Sequence, residues 1–67
     1  MKMSRRLSFK DAYDLRLWFK MRFGRKPSQD RLYYEEWKSR FIRGGESALI
    51  AHMDNESLRL WRSVRGQ

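Results

Sequence analysis

Trp18, Trp37 and Trp61 stand one in each of three segments separated by helix-breaking residues, and no other feature constrains the fold so strongly. Leu, Ile, Val and Phe number only 14 of 67 residues, close to the level at which highly charged chains stay unfolded. The core must therefore be built largely from aromatic rings, each able to bury on the order of 150–250 Å². No cysteine is present to add a disulfide, and a core this small supplies about 3–5 kcal/mol. Self-association as a homodimer, or a protein partner, is one way to complete it. The length holds one domain and excludes a multidomain enzyme.

Punctuation predicts an all-α fold, a small single-domain bundle of three main helices plus one short helix. A flexible basic arm, residues 1–7, precedes a helical domain over residues 8–67. Ser8 with Asp11 reads as an N-cap and a first-turn acid, so helix one begins at Phe9 and stops at Gly24. Leu15, Leu17, Phe19, Met21 and Phe23 alternate with mostly basic residues as in a strand. Helix is preferred for its length, its cap and the absence of a second strand. Pro27 then breaks the chain, and Ser28 caps helix two from about Gln29 to Arg43, with Tyr33, Tyr34, Trp37 and Phe41 at helical spacing. Gly44-Gly45 ends it. A short helix covers Ser47 to Met53, and Asp54 or Asn55 caps a last helix from about Glu56 to Arg65 with Ser57, Leu60, Trp61 and Val64 on one face.

Catalysis has little to work with, and no enzyme activity or cofactor is expected. His52 is the only histidine, and Asp54 and Glu56 beside it are explained by a helix cap and a first-turn charge. A metal would need three or four ligands at fixed geometry, which these three residues alone do not promise. Gly44-Gly45 lacks the Lys-Ser/Thr of a phosphate-binding loop. The longest apolar run, Ala48 to Ala51, is far short of the roughly 20 residues that span a bilayer. Charged residues interrupt Ser8 to Phe23, so no secretory leader is read, and a cytoplasmic location is expected.

Charge carries the functional signal. Residues 1–31 hold ten basic and three acidic side chains, whereas residues 32–67 hold six and five. A one-sided positive field draws phosphate backbones and acidic surfaces. The 11 Arg against 5 Lys favour planar two-pronged contacts with phosphate. The candidate nucleic-acid-binding residues are Arg5, Arg6, Arg16, Lys20, Arg22, Arg25, Lys26 and Arg31, with Phe19 and Phe23 interleaved. Arg22, Arg25 and Lys26 flank the breaks at Gly24 and Pro27 and are expected in solvent. Nucleic acid, DNA above all, is thus the expected partner. The best helix-turn-helix register, Ile50 to Ser57, is a poor match because Asp54 and Glu56 fall where the turn needs apolar residues; its reading helix would offer Arg59, Arg62 and Arg65. A protein-binding regulator is the alternative, because Phe9, Tyr13, Trp18, Phe19 and Phe23 surround helix one and cannot all enter one core.

Overall fold

The computed structural model describes residues 6–66, and these are helical with no strand. Helix α1 runs Phe9–Phe23, one 3-10 turn covers Pro27–Gln29, α2 runs Arg31–Ala51 and α3 runs Asn55–Arg65. The expected helical bundle is therefore the observed architecture.

The Ser8 hydroxyl accepts from the Asp11 backbone N–H at 3.1 Å, which starts α1 where the cap predicts. Leu7, assigned above to the arm, packs against the core. Inside α1, Leu15, Trp18 and Phe19 are fully buried, while Leu17 and Met21 are 40% and 46% exposed. Residues four apart lie one above another on a helix. An inner row 15–19–23 and an outer row 17–21 therefore interleave in sequence and imitate a strand.

Helix two begins later than Ser28 predicts. Gln29 turns its side-chain oxygen to the Lys26 backbone N–H at 2.8 Å, closing the 3-10 turn, and α2 starts only at Arg31. The break expected at Gly44-Gly45 falls on Gly45, with φ 76° and ψ −172°, a conformation essentially confined to glycine. Gly44 is needed for a different reason, since a Cβ there would meet the Ala48 Cβ at 2.4 Å. The separate short helix thus becomes the part of α2 beyond this kink, ending at Ala51 rather than Met53. Asp54 is the cap of α3, its Oδ1 accepting from the Ser57 N–H at 2.8 Å.

The core is Leu15, Trp18, Phe19, Tyr34, Trp37, Phe41, Leu49 and Trp61. Trp18 is its centre, with edge contacts to Trp37 at 4.9 Å, Phe23 at 5.7 Å and Trp61 at 6.3 Å between ring centroids, all within the favourable range for aromatic pairs. Its indole N–H donates to the Ser57 carbonyl at 2.9 Å, tying α1 to α3. The Trp61 indole donates to Glu46 Oε2 at 2.8 Å. Trp37 differs, because its buried Nε1 has no acceptor among the described residues. Trp18→Phe is therefore expected to cost more than Trp37→Phe by about 0.5–1.5 kcal/mol, since it loses a buried hydrogen bond between α1 and α3 while the other removes a donor that has no acceptor among the described residues. Equal urea midpoints for the two variants would contradict this.

An ion cluster closes the bundle. Arg65 Nη1 donates to Asp11 Oδ1 at 2.8 Å and Asp14 Oδ2 at 2.9 Å, and Nη2 to Glu46 Oε1 at 3.2 Å. The guanidinium lies 5.0 Å from the Trp61 ring centroid, so one side chain joins all three helices. Burial alone would raise the Asp14 carboxyl, but Lys10 and Arg65 override it and hold that group below the usual carboxylate range.

Candidate nucleic-acid interface

Internal ion pairs consume six of the eight acids, and Arg6, Arg16, Lys20, Lys26, Arg31, Lys38, Arg40, Arg43 and Arg62 make no ion pair among the described residues. Asp11, Asp14 and Glu46 hold Arg65, with Asp14 also taking Lys10. Asp54 holds Arg22, Asp30 holds Arg25, and Glu56 pairs with Arg59. Glu35 and Glu36 on α2 are the remaining acids, and they border a separate surface cleft with Arg40 and Arg43.

The predicted basic residues therefore divide into two groups. Arg22 is a structural link: its Nε donates to Ser57 Oγ at 2.7 Å and its Nη2 to Asp54 at 3.2 Å, which joins the end of α1 to the start of α3. Ser57 and Arg22 together keep the Asp54 carboxyl below its ordinary range. Arg25 donates to Asp30 at 2.6 Å across the turn. The expectation that Arg22 lies in solvent is thus corrected, because it is half-buried against Ser57 and Asp54, whereas Arg25 is exposed as expected and pairs with Asp30 there. Arg16, Lys20, Lys26, Arg31 and Arg6 are exposed and make no ion pair among the described residues. Arg5 lies outside the described residues.

Three of the free cations converge. Arg16, Lys20 and Lys26 line a groove of about 360 Å³ whose apolar lining comes from Tyr13, Leu17 and Pro27, with Ser28 at its edge. One wall is the outer face of α1, where residues 13, 16, 17 and 20 fall together through the three- and four-residue helical spacing. The other wall is the 3-10 turn, which Pro27 starts and the Gln29–Lys26 hydrogen bond closes. Arg16 sits near the Tyr34 phenol, whose pKa burial raises against the pull of that guanidinium. Arg31 opens α2 without lining the groove.

Sequence reasoning located the cations but missed Tyr13, Leu17 and Pro27 as their apolar bed. The available signal was the four-residue spacing of Phe9, Tyr13, Leu17 and Met21, which the structure leaves 85%, 54%, 40% and 46% exposed. The helix-turn-helix reading fares worse. Of its three reading arginines, Arg65 is clamped at the core edge and Arg59 pairs with Glu56, leaving Arg62 free among the described residues. His52 Nδ1 lies 3.0 Å from the Ala48 carbonyl at the end of α2. Among the described residues, no group of three or more His, Cys, Asp or Glu side chains could hold a metal ion, and no helix is long and apolar enough to cross a membrane. Compared with known protein families, characterised proteins and solved structures, the chain matches none.

Proposed function

We propose that this chain is a small non-enzymatic nucleic-acid-binding module that grips its ligand at the groove of Arg16, Lys20 and Lys26. The observation that carries this reading is the convergence of three cations on a concavity with no acid in its lining. Phosphates entering it would meet uncompensated charge, whereas the cations elsewhere in α1 and the following turn are largely neutralised within the fold. Arg6 and Arg31, exposed and in no ion pair among the described residues, are the further candidate phosphate contacts.

The test is a titration of the protein with duplex DNA, single-stranded DNA and RNA at several salt concentrations. About five phosphate contacts give a slope of log affinity against log salt near −4 to −5 on duplex. Replacing Arg16, Lys20 and Lys26 together by Gln is expected to flatten the slope by about two to three units. The same variant should unfold at nearly the wild-type urea concentration, because exposed charges contribute only about 0–1 kcal/mol each. A second reading, a protein-binding regulator, is favoured by the exposed apolar row on α1. No binding to any polynucleotide at low salt would overturn the first reading and leave this one.

A further inference from the structure

Phe9, Tyr13, Leu17 and Met21 form one row along the outer face of α1. Successive members are about 6 Å apart along the axis, four residues at 1.5 Å each. A phosphate-gripping surface needs no such row, since backbone contacts are made by charge and hydrogen bonding alone. The row also has an uncommon setting. Arg16 and Lys20 lie along it, and the turn at Lys26 and Pro27 rises beside Tyr13 and Leu17 to make the region concave.

Resting on the nucleic-acid reading above, we infer that the groove selects single strands over duplex, with Tyr13 as the ring on which a base stacks. Arg16, Lys20 and Lys26 hold the flanking phosphates, and Phe9 offers a second ring farther along α1. Duplex DNA keeps its base faces inside the stack, so it has nothing to place on Tyr13 and Leu17. A single strand presents faces and phosphates together, which is the combination of aromatic platform and positive channel that single-strand binders use. A second copy of this chain suits the surface less well, because it would bring like charges against Arg16, Lys20 and Lys26. A bilayer suits a convex ridge better than a concave groove.

Affinity should be measured by fluorescence anisotropy for a labelled 12-nucleotide DNA strand, the same sequence as a duplex, and an abasic strand of equal length, with anionic vesicles as a fourth arm. The intact strand is expected to bind more tightly than the abasic strand, by roughly five- to one-hundred-fold per stacked base. Tyr13→Ala should remove that advantage, so that intact and abasic strands bind alike, with the urea midpoint near that of the wild type. Tyr13→Phe should retain it. Duplex binding as tight as the intact strand, or an abasic strand that binds equally well, would overturn single-strand selection and leave the nucleic-acid reading intact. Binding to vesicles with none to any polynucleotide would remove both.

Discussion

Trp18→Ala is expected to leave the protein unfolded at 25 °C. Trp18 has no exposed surface and touches Phe19, Phe23, Trp37 and Trp61, so its ring is shared by all three helices. Removing a buried Trp side chain costs about 3–5 kcal/mol, and a domain of this length has about that much stability in total. The indole hydrogen bond to the Ser57 carbonyl, which ties α1 to α3, would also be lost, an added cost of about 0.5–1.5 kcal/mol. Far-ultraviolet circular dichroism should therefore show a largely disordered chain, with no cooperative urea transition. A cooperative transition near the wild-type midpoint would mean that the three helices hold together without their shared ring.

The second large effect is expected at Arg65. Arg65→Met keeps an unbranched stem against Trp61 and Phe41 but withdraws the cation from Asp11, Asp14 and Glu46. Asp14 is 3% exposed and would retain Lys10 alone. Breaking a buried ion pair from one side costs about 3–5 kcal/mol, and the partial exposure of Asp11 and Glu46 puts the expectation at the lower end. The pH dependence gives an independent readout. Because the folded-state pKa of Asp14 is lowered, its contribution is complete above the ordinary carboxylate value and is lost as pH falls through the folded value. The wild-type urea midpoint should hold down to about pH 4 and decline below it. In Arg65→Met, burial raises the Asp14 carboxyl with less opposition, so the decline should begin at a higher pH. Adding Asp14→Asn should recover part of the loss by removing the stranded charge. An unchanged midpoint and acid limb in the single variant would show that the cluster contributes nothing.

Arg22 and Lys26 differ only through the tertiary fold. Both are basic residues beside a chain break, and nothing local separates them. Arg22 finds Asp54 and Ser57, 32 and 35 positions away, whereas Lys26 pairs with no acid among the described residues. Pairing across such distances depends on how α3 returns over α1. The features that were legible depend on neighbours in sequence: the Ser8 and Asp54 caps, the stop at Gly24, the break at Gly45, and the one tryptophan in each helix. The start of α2 was misplaced because Ser28 has the chemistry of a cap, while the Pro27 turn and the Arg25–Asp30 pair settle the geometry instead. Alternation along α1 was ambiguous because both of its faces carry apolar residues, one for the core and one for the groove.

Confinement of the indoles to the interior separates two optical signals. Trp18, Trp37 and Trp61 are at most 5% exposed, so a polynucleotide has no open indole face on which to stack. Tryptophan emission should then report the integrity of the fold and change little on ligand addition. The near-ultraviolet circular dichroism of three indoles, with Trp18 edge-on to the other two, should likewise be an intense signature of the native state that disappears in one step with the helices.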